Sequence, residues 1–448
     1  MKAFVKLLTL CLLVSFIAGC GAPATPMPAA TQPPRPADTA VPAKAPEPTK
    51  APEPTKAPEP TKAPEPTKAP EPALSAAEEW AKANGFGPYQ PAAEDWAAIE
   101  AAARKEGSVM VYANSSKFEQ LLPVWEAKYP GIKLDGGDTD GIDTKMREEQ
   151  LANNVVGDVW FNSDGNILYG EFVPKQWLWS YVPPGVVIPE ITKERPFAIA
   201  RHGTDLIGYN TELHPNGCPL TNWWQLTEPA LKGKVFMEDP VSNVSMTALI
   251  ATIIQHGDEL ATAYKELYGK DYTTDKAYGP DTFGLDTPDA GWLWARKMAQ
   301  NKPGIQPGGS EVDESYALPG MNPNEEPGYG ISGYSSMEDT ADGKLVFAPC
   351  VGIKPVLGIF KTSYLAVAAN APHPNAAKLF IKFALSEEGR APWNIIGDYP
   401  AVEGQLPAKG AIPLADLKVW TMDDVYIYQN ASRVRDFWAV SLLYAPEE

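Results

Sequence analysis

Between residues 94 and 162 the apolar positions switch repeatedly between a helical and an extended period. The stretch EDWAAIEAAARKEG (94–107) has helical spacing and runs into Gly107, which predicts a helix with a glycine stop. SVMVYA (108–113) is a short apolar run and predicts a buried strand. SSKFEQLLPVWEAKYPG (115–131) opens on a Ser cap and sets Phe118, Leu121, Leu122 and Trp125 at helical spacing, with Pro123 as a kink. IKLDG (132–136) predicts a second strand, 143–154 a helix, and GDVWFN (157–162) a third strand. Strands alternating with helices predict an α/β fold with a parallel sheet and right-handed crossovers.

The pattern then restarts. Residues 197–211 read as two extended runs around Gly203, 233–240 as a strand, and 242–257 as a helix with polar caps. A helix is expected over 289–301, and a long Gly- and Pro-rich irregular loop over 303–335. Residues 362–372 read as a strand and turn, and 373–389 as one amphipathic helix with Pro374 in its first turn. From residue 74 to 448 the chain has roughly 375 residues, more than one core normally serves. Two sheets, and so two lobes, are expected.

The first 73 residues follow neither period. Lys2 and Lys6 precede an apolar run from Leu7 to Ala18, about 12 residues and too short to span a bilayer. This is the layout of a secretory leader, and Ile17-Ala18-Gly19-Cys20 resembles the end of a bacterial lipoprotein signal. The expectation is a leader over 1–19 with Cys20 lipidated; the alternative is an ordinary leader with an incidental cysteine. KAPEPT then repeats four times from Lys44 to Thr67. Proline at that density fixes φ and removes donors, so 20–73 is expected to be a disordered, polyproline-II-like tether. Its plain role is a spacer; a ligand for a Pro-binding domain is the sharper alternative.

Charge changes the picture of partners. The formal net charge is −18, and the two leader lysines contribute +2, so the mature chain stands near −20. Lysines and glutamates of the repeat cancel. An acidic domain excludes nucleic acid and anionic lipid surfaces as natural partners. With Cys11 in the leader and Cys20 lipidated, Cys218 and Cys350 remain; they either form one disulfide or stay as two buried thiols.

Four stretches together resemble one family: GSVMVYANSS (107–116), GDVWFNSDG (157–165), LTNWWQLTEPALKGKVFMEDP (220–240) and NAPHPNAAKLFIKFALSEEGR (370–390). They are similar to the extracellular solute-binding proteins of ABC importers, in the ferric-iron, polyamine and phosphonate branch. The resemblance implies a two-lobed type II periplasmic-binding fold with two inter-lobe crossovers, lobe 1 at about 90–203 and 362–448 and lobe 2 at about 204–361. It also implies a monomer without enzymatic activity or cofactor, held by lipid on the outer face of the cell membrane or in the periplasm. Such a chain would pass a small solute to a membrane permease.

Ligands in open α/β sheets sit at strand carboxyl ends beside helix N-termini. Three polar stretches occupy such places: Asn114-Ser115-Ser116, Asn162-Ser163-Asp164 and Ser242-Asn243-Val244-Ser245. A fourth, Tyr334-Ser335-Ser336, is placed mainly by the resemblance. Tyr209 and Tyr364 lie on the expected crossings and are candidate cleft walls; each of these groups has an alternative as a helix cap or core residue. The resemblance associates ferric binding with adjacent tyrosines, and Tyr334-Ser335 lacks the second phenol, so no directly bound metal is expected, with a bound iron chelate as the alternative. Thirteen tryptophans raise an aromatic cage for a cation, with Trp125, Trp292 and Trp294 favoured as core and Trp160, Trp223 and Trp224 open. A lipid-anchored hydrolase is the rival class, but neither GxSxG nor HExxH occurs. A ligand sensor for a membrane receptor shares the same fold.

Overall fold

The computed structural model describes residues 73–139, 141–273, 287–322 and 328–443. The leader, Cys20 and the KAPEPT repeats lie outside the described residues.

Twelve strands form one hydrogen-bonded network. They are β1 Ser108–Ala113, β2 Lys133–Asp138, β3 Val159–Asn162, β4 Leu178–Trp179, β5 Ala198–Asn210, β6 Val235–Glu238, β7 Gly304–Gln306, β8 Tyr329–Gly333, β9 Phe347–Pro349, β10 Gly358–Ala368, β11 Tyr399–Pro400 and β12 Val419–Thr421. The main order is β2-β1-β3-β10-β5-β8-β6-β7. The β2-β1-β3 and β8-β6-β7 runs are parallel, and β10 and β5 pair antiparallel between them.

Local chemistry explains the first elements. Asp95 accepts from the N–H groups of Ala97 and Ala98 and so starts the Trp96–Glu106 helix; Gly107, at φ 82°, ends it. That helix buries Ile99 and Ala103 and packs on the Pro374–Ala384 helix. Gly136 is required by close approach: a Cβ there would stand 1.9 Å from the Val111 carbonyl oxygen.

Two hydrophobic cores flank the middle of the sheet. The first gathers residues from Ala81 to Ala200 with Tyr364 to Ala401, around Trp125 and Trp160. The second gathers Leu206 to Ile359 with Tyr399 to Trp438, around Trp223, Trp224, Trp294 and Trp438. Cys218 and Cys350 are disulfide-bonded within the second lobe, Cα atoms 5.2 Å apart and 132 residues apart in sequence.

Several expectations are corrected. The two expected sheets are one, because β5 and β10 are long enough to carry the hydrogen-bond ladder through both lobes. Gly203 does not divide β5. Residues 303–335 are not one loop: they hold β7, a Gly309–Ala317 helix and β8. The helix expected over 373–389 ends at Ala384, and Ser386 caps a separate short helix, Glu387–Arg390. The C-terminal segment expected with lobe 1 instead buries Leu417, Trp420, Ile427, Val434, Phe437 and Trp438 in the second core. Among the described residues no helix is long and apolar enough to cross a membrane.

Candidate functional site

Where β5 and β10 leave one core and enter the other, their side chains turn from apolar to charged. Arg201, Gly203, Thr204, Asp205 and Lys361 line an inner cavity of about 550 Å³ between the lobes. Strand ends, the loops after them and the Gly309–Ala317 helix supply the rest. Asn114, Ser116 and Ser163 come from the first lobe; Glu238, Asp313, Ser335 and Ser336 come from the second. An outer cavity of about 490 Å³ shares Asn114 and is lined by Asp143, Asn162 and Asp164 facing Ser242, Asn243 and Ser245.

Of the candidates named from sequence, Asn114, Ser116, Asn162, Ser163, Asp164, Asn243, Ser245, Ser335 and Ser336 are brought to these two cavities. Several are also engaged with neighbours. Asn162 donates to Asp164 at 3.0 Å, and Ser163 shares a hydrogen bond with Ser363 at 2.8 Å. Asn243 caps the Val244–Gln255 helix by accepting from the Met246 N–H at 2.8 Å.

Four candidates are not brought there. Ser115 accepts from Trp393 Nε1 at 3.1 Å and lines neither cavity. Tyr334 is buried in the second core. Tyr209 packs against that core beside His214. Tyr364 donates to Asp424 at 2.9 Å and lines a separate cavity of about 200 Å³ with Tyr169, Arg195 and His202. The β5–β10 ladder shifts register between Ser363 and Tyr364, and such irregularities re-aim side chains.

The tryptophans do not form a cage. Trp125, Trp160, Trp223, Trp224, Trp292 and Trp294 are all core, and no aromatic residue lines either cavity among the described residues. His373 is structural, its N–H and ring holding Asp158 at 2.8 and 2.9 Å. Among the described residues no group of three or more His, Cys, Asp and Glu is placed to hold a metal ion.

The charged floor was missed from sequence, although ARHGTD (200–205) interrupts an otherwise apolar strand and carried the signal. Each cation has a carboxylate partner. Lys361 lies 3.3 Å from Asp205, Arg201 bonds Asp398 at 2.5 Å, and Lys117 pairs with Glu338. Asp205 raises the Lys361 pKa. Asp313 accepts from Ser336 at 2.6 Å, yet burial pushes its carboxyl up to about 6. Burial also raises Glu238. Asp143 and Asp164 are both pushed up by burial, and Asp143 further by the charge of Asp164. The arrangement can grip a polar solute from two lobes; it presents no nucleophile paired with a histidine, since among the described residues no histidine lines either cavity.

Comparison with known proteins returns a family match over part of the chain and a shared fold. Residues 196–411 match the family described as bacterial extracellular solute-binding protein. No curated protein matches by sequence. Iron-bound HitA from Pseudomonas aeruginosa superposes with a TM-score of 0.54 at 15% identity, over 74% of this chain and 99% of that one. AfuA from Actinobacillus pleuropneumoniae, with fructose-6-phosphate bound, gives 0.53 at 20% identity, over 76% and 99%. The apo ferric ion-binding protein A of Pasteurella haemolytica gives 0.53 at 16%, over 74% and 96%. At these identities the structures share the fold: this is the two-lobed periplasmic-binding architecture.

Proposed function

We propose, from the match of residues 196–411 to the bacterial extracellular solute-binding proteins, that this chain is the solute-binding component of an ABC importer. It captures a small solute in the cleft and hands it to a permease by closing its lobes around it. The observation that supports this most is the inner cavity itself, floored by the two crossing strands and walled by residues of both lobes. A ligand touching both walls stabilises the closed arrangement by its differential affinity for it.

Cys20 carries lipid in this reading, and residues 20–73 are the spacer that lets the binding domain meet solute and permease while anchored on the outer face of the membrane. The chain acts as a monomer and does no chemistry on its cargo.

Gly203 sits on the cavity floor, so Gly203→Trp fills it. The chain, purified without denaturation from its native host, is expected to carry a small molecule visible by native mass spectrometry, and the Gly203→Trp chain none. A wild-type chain that carries no solute and behaves like the filled variant in small-angle scattering against host extract overturns the reading.

A further inference from the structure

Charge bookkeeping in the cleft is lopsided. The three cations of the inner cavity, Lys117, Arg201 and Lys361, are each matched by a carboxylate. Asp339 at its edge is matched by Lys344. Glu238 and Asp313 line the same cavity and form no ion pair within 4 Å among the described residues; Glu238 accepts from Asn243 at 3.2 Å and shares the more distant charge of Lys361, and Asp313 accepts from Ser336. In the outer cavity Asp143 and Asp164 face one another and, among the described residues, no cation lines it.

Three polar atoms of lining residues are buried without any hydrogen-bond partner: Asp313 Oδ1, Thr204 Oγ1 and Arg201 Nε. Asp313 and Thr204 are only 7% and 2% exposed. Orphaned buried polar groups are expensive, and native structures retain few of them. Their chemistry is mixed: a carboxylate oxygen accepts, a guanidinium N–H donates, and a hydroxyl does either.

We infer that the solute is a hydroxyl-rich cation, an ammonium-bearing polyol of the amino-sugar or aminocyclitol class. This rests on the reading of the cleft as the solute site. An ammonium meets Glu238 and Asp313, which form no ion pair of their own among the described residues; hydroxyls meet the lining serines Ser116, Ser163, Ser335 and Ser336. A bare metal ion cannot do both. An anion enters against an excess of carboxylates. A neutral sugar leaves that excess unmatched. A quaternary or largely apolar cation wants aromatic faces, and none line the cleft among the described residues. The cavity volume lies in the ordinary range of small-molecule sites.

Titration calorimetry on the full mature chain tests this with glucosamine, 2-deoxystreptamine, glucose and glucose 6-phosphate. Glucosamine or 2-deoxystreptamine is expected to bind at least 10-fold more tightly than glucose, with glucose 6-phosphate weaker still. E238Q and D313N are each expected to weaken the amine 10-fold or more, with thermal melts of both variants confirming that they fold. Tighter binding of the phosphate or of glucose, or an amine affinity unmoved by both variants, overturns the inference and leaves the cleft as a solute site. Binding of neither amine also overturns it. Whether the cleft reading falls too is then decided by the Gly203→Trp comparison, which is indifferent to solute charge.

Discussion

The ends and the middles of β5 and β10 obey opposite rules. At the ends, Ala198, Ile199 and Ala200 on β5 and Leu365, Ala366 and Val367 on β10 enter the first core, while Leu206, Ile207 and Ile359 enter the second. There, apolar area leaves water and each large side chain contributes about 1.5–3 kcal/mol. In the middles, Arg201, Thr204, Asp205 and Lys361 line the cleft, and nearby Asp313 keeps an unpaired oxygen. Folding alone does not require those groups. The difference teaches that the crossing strands join two apolar cores through a segment whose polar side chains are incompletely satisfied within the chain.

The sharpest asymmetry lies between the two bodies. Only the second carries a disulfide among the described residues, closing a span of 132 residues. Replacing both Cys218 and Cys350 by Ala is expected to destabilise that lobe by about 5 kcal/mol on the chain-entropy account. Thermal melts check this, and a melting temperature unchanged by the double substitution defeats it. Leu365→Ala tests a strand end: the side chain is fully buried in the first core, and the expected loss is about 2–5 kcal/mol.

Asp313→Asn tests the opposite sign. Burial raises the Asp313 pKa to about 6 from its ordinary 3.8. The folded state therefore binds more protons than the unfolded state between those values, and this group's contribution makes the wild type more stable as pH falls from about 7 to 4. Asn removes the buried charge, so the variant is expected to be more stable at pH 7.5, by roughly 3 kcal/mol. That advantage should vanish by pH 4. Melting curves across this range decide it; a variant destabilised at pH 7.5 shows that Asp313 is structural.

Smaller effects separate caps from ligand contacts. Ser116→Ala is expected to weaken solute binding by up to about 10-fold with little change in melting, at roughly 0.5–1.5 kcal/mol per hydroxyl bond, whereas Ser336→Ala also removes the hydrogen bond to buried Asp313 and lowers the melting temperature as well. Ser115→Ala loses the Trp393 contact and should lower stability by about 1 kcal/mol while affinity holds. Calorimetry beside melts distinguishes the two patterns. The smallest effect is expected from deleting residues 20–73: affinity within twofold of the full mature chain. A larger loss would mean that the repeat takes part in binding.

Legibility followed the range of the responsible interaction. Strand Ser108–Ala113 and the glycine stop at Gly107 appear where the pattern puts them, because caps and alternation depend on a few neighbouring residues. The polar strand ends at 114–116, 162–164 and 242–245 were legible for the same reason, though not which of their side chains would be claimed elsewhere. Ser115 was lost to Trp393, 278 residues away. Tyr364 was lost to Asp424, 60 residues away and beside a register shift that no periodicity announces.

By itself, the sequence determined the α/β alternation, the Pro-rich character of residues 20–73, the acidic charge and the polar strand ends. These follow from local backbone preference and composition. Only the tertiary structure decided that β5 and β10 run unbroken through both lobes, that the C-terminal helix joins the second core, and that Lys361 and Arg201 are matched while Glu238 and Asp313 are not. The reason is physical: an ion pair or an orphaned oxygen is a property of groups brought together across long stretches of chain, and its energy depends on a burial that no single segment possesses before folding.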